Sequence, residues 1–367
     1  MTNILNTGIN NVKNVQRYML GKGSISSLGA LIQSQKKSDS SSVVFFIDSF
    51  FERKDVLSLL PINDNDELIF VKTENEPTTD HIDSIVNQLN KKYKEKPCAI
   101  VGIGGGITLD TAKAVSNLLG NGGQASDYQG WDLLSKPGIF KIGIPTLSGT
   151  GAEATRTCVM TNKNSGLKLG MNSDYTVFDQ IIMDPDLTKS VPKDQYFWSG
   201  MDAYIHCVEA LNGSYRNAIG DAFSRETINL CRSVFTSTEI MSDANREKMM
   251  VASYLGGCSI ATSYVGVVHP FSAGLSVVLG THHCIANCIV MRGMEEFYPE
   301  AFKEFWSFVE LQNIEIPKNL CKNLNEEKFN SLFDATIIHE KPLTNALGEG
   351  FKNILTRQKV REIFEMM

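Results

Sequence analysis

Over the first half of the chain, short apolar runs alternate with stretches of helical periodicity. Residues 43–48 (VVFFID) are rich in β-branched and aromatic side chains and read as a strand buried on both faces. Residues 67–72 (ELIFVK), 98–103 (CAIVGI) and 141–145 (KIGIP) read the same way. Between them, residues 80–93 put Ile82, Ile85, Val86 and Leu89 on one stripe of an amphipathic helix, and residues 111–119 repeat the helical period. Apolar strands separated by helices predict a parallel sheet covered by helices. After Asp184-Pro185 the strand signals fade. Helical patterns at 202–211, 218–235 and 246–262 follow, punctuated by Gly, Pro and Asn. The pattern predicts an α/β domain over residues 1–187 and an all-helical domain over residues 188–367.

Bulk composition narrows the class. A chain of 367 residues is too long for one small core, and 42% hydrophobic with 21% charged residues is ordinary for a soluble protein. No apolar window has the length of a membrane helix, and residues 1–20 lack the apolar stretch of a signal peptide, so no membrane partner and a cytoplasmic location are expected. Formal net charge is −6 with dispersed Lys and Arg, which predicts no nucleic-acid partner. The one basic run, residues 91–96 (KKYKEK), reads as a solvated helix end. Eight cysteines without a CxxC pair, most in apolar runs, read as reduced buried thiols. Cys284 and Cys288 have a CxxxC spacing but no second pair to complete a four-ligand site.

Two glycine loops carry the first chemistry. In VGIGGGITLDTAK (residues 101–113) a strand ends at Gly104-Gly105-Gly106 and a helix follows. Glycines let backbone approach a diphosphate, and a helix N-terminus offers free N–H groups. PTLSGTGAE (residues 145–153) follows another strand, with hydroxyls from Thr146, Ser148 and Thr150 and backbone access at Gly149 and Gly151. Loops at the carboxyl ends of parallel strands face one crevice, where open α/β sheets bind ligands. Asp48 ends its strand, where a carboxylate accepts from a ribose diol and repels a 2′-phosphate. The first domain therefore reads as a Rossmann-like dinucleotide-binding domain, with NAD favoured over NADP.

The second constellation lies beyond the boundary. The six histidines are His81, His206, His269, His282, His283 and His339. Asp202 and His206 are four apart in GMDAYIHCVEAL and share one helix face. His269 lies in VGVVHPFSAG, and LGTHHCIAN supplies His282 and His283, which chemistry alone does not separate. One carboxylate and three imidazoles suit one divalent ion, Zn²⁺ or Fe²⁺, with an open position for a substrate oxygen. His81 and His339 sit in polar surroundings and read as surface residues.

Together these segments resemble the iron-containing alcohol dehydrogenase family. Its GGGSxxDxAK motif is similar to residues 104–113, with Ile107 for Ser. Its PTTxGTGSE motif is similar to residues 145–153, with Leu147 and Ala152 as departures. Its GMDAxxHxxE motif is similar to residues 200–209. The resemblance implies an NAD-linked alcohol dehydrogenase with metal ligands Asp202, His206, His269 and His283, the last chosen over His282 by the Ala286-Asn287 that follows it. It implies cofactor contacts from Gly105, Gly106, Ile107, Asp110, Thr146, Leu147, Thr150, Thr155 and, by the nicotinamide, Lys168. A homodimer is expected. Many members carry a further histidine four residues after the third ligand; here that position is Ala273.

YQGWDLL, GMNSDYTVFDQ, LGTHH and EEFYPE resemble one branch of the family, the 3-deoxy-D-manno-octulosonate 8-oxidases. That resemblance implies oxidation of the C8 primary alcohol of a sugar acid to an aldehyde. The aldehyde would feed a pyridoxal-phosphate aminotransferase in lipopolysaccharide synthesis. Arg156, in EATRT, is the candidate for the substrate carboxylate, with an ion pair to a nearby acid as its alternative. Other alcohols or polyols, a dehydroquinate-synthase-like lyase returning its hydride within one turnover, and a non-catalytic scaffold are the alternatives.

Overall fold

The computed structural model describes residues 12–367; the leader reading falls partly on residues 1–11, outside the described residues. The described residues form two compact units, one of residues 12–146, 152–165 and 169–187, the other of residues 147–151, 166–168 and 188–367. The short segments 147–151 and 166–168 are thus threaded into the second unit.

The first unit carries strands β1 (Arg17–Leu20), β2 (Val43–Asp48), β3 (Glu67–Val71), β4 (Ala99–Gly104), β5 (Gly130–Trp131), β6 (Lys141–Pro145), β7 (Thr157–Asn162), β8 (Leu167–Asn172) and β9 (Gln180–Met183). Its helices are α1 (Leu28–Gln33), α2 (Thr79–Lys92) and α3 (Gly106–Asn121). Six strands form one sheet in the order β1-β9-β6-β4-β2-β3, and every pairing in it is parallel. β2 and β4 are buried along their whole length. Val44, Phe46 and Ile100 enter one apolar cluster with α2 and α3, while Val43, Phe45, Ile47, Val101 and Ile103 enter another on the opposite face. A sheet covered on both faces leaves no polar side to alternate with, which is why the strands read as unbroken apolar runs.

The expected parallel α/β domain followed by a helical domain is what the structure has. The pattern did not mark β1, β5, β7, β8 and β9. β1 exposes Tyr18 and Leu20, β7 and β8 are only partly buried, and β9 is four residues long. A four-residue strand is too short to show a period against a turn.

The second unit is helical: α4 (Lys193–Asn212), α5 (Ala218–Phe235), α6 (Asp243–Ser263), α7 (Val268–Leu279), α8 (His283–Val290), α9 (Pro299–Gln312), α10 (Glu326–Ile337), α11 (Glu340–Leu347), α12 (Phe351–Ile354) and α13 (Arg357–Glu365). Phe197, Tyr204, Phe235, Phe271, Phe305 and Phe364 sit in its single apolar core. Among the described residues, no single helix is long and apolar enough to cross a membrane.

The segment 147–151 is fixed against this unit by its glycines. A Cβ at Gly149, where φ is +152°, would lie 1.6 Å from the Ser199 carbonyl oxygen of α4. One at Gly151, φ +64°, would lie 2.5 Å from Gly257 Cα of α6. These glycines admit helix backbone at close range. Gly149→Ala is predicted to cost about 3 kcal/mol or more, because overpacking meets rigid backbone. Gly29 in α1 has only ordinary contacts with Pro61. Gly29→Ala is predicted to stabilise by about 0.5–1 kcal/mol. Denaturant midpoints of the two variants, one lowered and one raised, check the assignment; equal midpoints would contradict it.

Candidate metal centre

Asp202, His206 and Glu209 fall at i, i+4 and i+7 of α4, one stripe of a helix whose other faces are also buried. α7 begins at Val268 and presents His269 in its first turn. Gly280, in the left-handed region at φ +70°, ends α7. α8 then starts at His283 with exposed His282 outside it as the N-cap. Three helix segments thereby aim four side chains at one point.

The Asp202 side chain is fully buried. His269 Nε2 lies 3.3 Å and His206 Nε2 3.4 Å from its Oδ1, and His283 Nε2 lies 3.6 Å from its Oδ2. Donor atoms of Asp202, His269 and His283 all fall within 4.8 Å of one another. Ligand atoms about 2.1 Å from a common tetrahedral ion lie about 3.4 Å apart, so these spacings fit one small divalent cation. The His206 and His269 rings stack at 4.6 Å between centroids.

Electrostatics agree. Burial opposes ionisation of Asp202, but the imidazoles of His206, His283 and His269 outweigh it and hold the carboxyl below the usual range. Burial pushes His206 down to about 4 against the pull of Asp202. Burial opposes protonation of His269 too, yet Glu209 and Asp202 on either side raise it to about 9. Without a metal, the cluster gathers a proton at the position where an ion would place positive charge.

Two polar residues complete the cluster, and residue patterns alone did not assign them. Glu209, fully buried, takes His269 Nδ1 on one carboxylate oxygen and the Val268 N–H on the other at 2.6 Å. With Nδ1 held by Glu209, Nε2 is the ring nitrogen left facing Asp202 and able to bind an ion, the usual arrangement behind a metal-bound histidine. Asn287, one turn after His283, donates from Nδ2 to Asp202 Oδ1 at 2.7 Å. The helical offset of Glu209 from His206 was the available signal. Cys284 lies with its Sγ 4.0 Å from Asp202 Oδ2. All eight cysteines are free, and seven are buried.

Most of the nucleotide-loop candidates lie in the first unit. β2, β4 and β6 are adjacent and parallel, so Asp48, Gly104 and Pro145 end at the same edge of the sheet. Strand order reverses between β2 and β4, which opens a crevice there. α3 starts at Gly106 with no side-chain cap, so its first N–H groups, Ile107 among them, face that edge. Thr146 N–H donates to the Gly104 carbonyl at 3.0 Å and closes the two loops together. Asp48 accepts the Phe50 N–H, and burial raises its carboxyl above the usual value.

Some candidates have structural partners. Asp110 accepts the Val159 N–H at 2.9 Å. Lys113, wholly buried, donates to the Thr155 carbonyl and hydroxyl and to the Thr157 carbonyl at 2.9–3.1 Å. Both side chains pin β7 to α3. Arg156 is paired with Asp132 and Asp174. Leu147, Thr150 and Lys168 belong to the segments threaded into the second unit. His339 corrects the surface reading: it is half-buried, and its electrostatic neighbours are Lys168 and His269. His81 is exposed, as expected.

A family model described as iron-containing alcohol dehydrogenase matches residues 15–185, and one for the C-terminal region of the same family matches residues 197–335. The chain is 32% identical over 222 residues to a sulfoacetaldehyde reductase of Bilophila wadsworthia, covering 59% of this chain and 56% of that protein. It is 31% identical over 232 residues to an NAD-dependent methanol dehydrogenase of Bacillus methanolicus, covering 62% and 59%. The matches therefore span less than two thirds of these relatives. In three dimensions it is similar to an alcohol dehydrogenase from Oenococcus oeni, with TM-score 0.84, 21% identity, and 97% and 99% of the two chains covered.

Two outcomes follow for the isolated protein. Glu209→Ala should weaken metal affinity by about 10–100-fold, as loss of such a partner typically does; competition with a chelator of known affinity measures it, and unchanged affinity would remove Glu209 from the account. In metal-free protein, the raised pKa of His269 adds stability that is fully present below 6.5 and lost as pH climbs to about 9. The lowered pKa of His206 works oppositely, so stability rises from about pH 4 toward 6.5. Thermal midpoints of chelated protein should peak near pH 6.5; a steady rise through pH 9 contradicts this.

Proposed function

The chain belongs to the iron-containing alcohol dehydrogenase family, and from that premise we propose that it moves a hydride from a primary alcohol to NAD⁺, giving an aldehyde, NADH and a proton. The observation that carries this reading is the set of three imidazole nitrogens 3.3–3.6 Å from the buried Asp202 carboxylate. A divalent ion held by Asp202, His206, His269 and His283 would lower the pKa of a substrate hydroxyl, and the nicotinamide would supply the hydride acceptor.

The chain's own residues do the positioning. Glu209 holds His269 Nδ1 and leaves Nε2 facing Asp202, and Asn287 holds the Asp202 carboxylate in place. Burial around Asp202 excludes water and strengthens every charge interaction there. Gly105, Gly106, Ile107 and Thr146 border the sheet-edge crevice as the diphosphate and ribose site. Asp48 at the same edge favours a free 2′-hydroxyl and so NAD over NADP. Lys168, with Leu147 and Thr150, serves the nicotinamide end. Asp110 and Thr155 act on the cofactor through the loop they hold in shape.

For the substrate, we take the C8 hydroxymethyl of 3-deoxy-D-manno-octulosonate, supported by the likeness of residues 128–134, 170–180, 279–283 and 295–300 to that branch. An aldehyde product suits a following pyridoxal-phosphate aminotransferase. Arg156 is already shared by two carboxylates and is left out of the substrate site.

Protein stripped of metal and reloaded separately with Zn²⁺ or Fe²⁺ is predicted to form NADH from this sugar acid faster than from short alcohols. His269→Ala should form none that can be measured. NADH from short alcohols but not from the sugar acid would overturn the substrate; none from any alcohol with either metal would overturn the dehydrogenase itself.

A further inference from the structure

Of the six residues of EEFYPE, residues 295–300, Tyr298 alone is buried. Its ring belongs to the apolar core, but its hydroxyl reaches the backbone just before His269. We propose that Tyr298 is a positioning residue of the metal centre: together with Glu209 it caps the start of α7 from outside and so sets where His269 stands. This inference rests on the assignment of the cluster as a metal centre.

A helix leaves its first four N–H groups without partners inside the helix. In α7 these positions are Val267, Val268, His269 and Pro270, and Pro270 has no N–H to place. The N-cap, Val267, has no side chain that can accept a hydrogen bond, so the partners come from other helices. Tyr298 Oη accepts the Val267 N–H at 3.1 Å. Glu209 Oε1 accepts the Val268 N–H at 2.6 Å, and its Oε2 takes His269 Nδ1. Val267 and Val268 are fully buried, so neither N–H can turn to water instead. Gly266 shows how close the two acceptors stand. A Cβ there would collide with Tyr298 Oη and lie 3.3 Å from Glu209 Cβ. A residue without a side chain lets the phenol and the carboxylate flank one stretch of backbone.

The phenol is also held from its own side. Tyr298 is the N-cap of α9, with Pro299 as the first helical residue. Its N–H donates to the Met294 carbonyl at 2.9 Å, and its carbonyl accepts the Phe302 N–H at 2.8 Å. Further along α9, Glu304 accepts from Tyr204 Oη of α4 and from Arg232 of α5. α9 is thereby fastened to the helix that carries Asp202, His206 and Glu209. Tyr298 braces α7 from α9 while Glu209 braces it from α4, on adjacent N–H groups. Loss of the phenolic oxygen frees Val267 and slackens the backbone that sets the Glu209–His269 hydrogen bond.

The test measures Zn²⁺ affinity by chelator competition on the full chain, as wild type, Tyr298→Phe, Glu209→Ala and the double variant. Tyr298→Phe keeps the ring in the core and removes only the acceptor. Its affinity is expected to fall about 10-fold, the low end for a partner behind a metal ligand. Added to Glu209→Ala, the same change should cost nothing further, because the two act through one contact. Phe351→Leu, in the same apolar core but on α12, should lower the thermal midpoint and leave Zn²⁺ affinity as it was. With Co²⁺ in place of Zn²⁺, the visible absorption bands report ligand geometry; they should shift in Tyr298→Phe and match wild type in Phe351→Leu. Unchanged affinity in Tyr298→Phe, a loss that adds in full to that of Glu209→Ala, or an equal loss in Phe351→Leu would overturn the assignment. A wild type that holds neither ion would instead overturn the metal centre, and the role of Tyr298 with it.

Discussion

The helical unit is organised around one buried carboxylate. Asp202 is removed from water, and breaking a buried charge pair costs about 3–5 kcal/mol. Three imidazoles and the Asn287 amide surround it, and Glu209 supplies a second buried negative charge behind His269. Two carboxylates so close, with no Lys or Arg ion-paired to either among the described residues, make a site that demands a cation. A proton on His269 meets part of that demand, and a divalent ion meets it fully. The helices that position these groups are packed on aromatic core residues.

The α/β unit divides its motif residues between ligand and scaffold. In the segment after β4, the glycines and the uncapped start of α3 face the sheet edge. Asp110 and Lys113, a turn further on, use their polar atoms to hold β7. After β6, Thr146 closes the loop onto β4, while Gly149 and Gly151 serve contact with α4 and α6. A motif constrained throughout its length thus answers to two constraints: backbone open to a ligand at one end, and close packing at the other.

This division explains what could be read from the chain. The buried strands and the Asp202-His206 stripe were legible because each is a local pattern of fixed period. Glu209 lay in the same stripe, but a carboxylate at that offset looks the same whether it faces solvent or a histidine. Glycines do not announce whether they admit a phosphate or a neighbouring helix. His339 was read as a surface residue because its polar sequence neighbours are exposed; its own position is decided by how α10 meets α7, a contact between distant parts of the chain. β7 and β8 escaped because half-buried strands mix polar and apolar residues without clean alternation.

The most direct test of the central claim is diffraction from crystals grown with Zn²⁺ or Fe²⁺, with data collected on both sides of that metal's absorption edge. A single strong anomalous peak is expected in the helical unit, about 2.0–2.2 Å from an Asp202 carboxylate oxygen and from one ring nitrogen each of His206, His269 and His283. A peak elsewhere, or a well-ordered cluster with no peak at saturating metal, would contradict it.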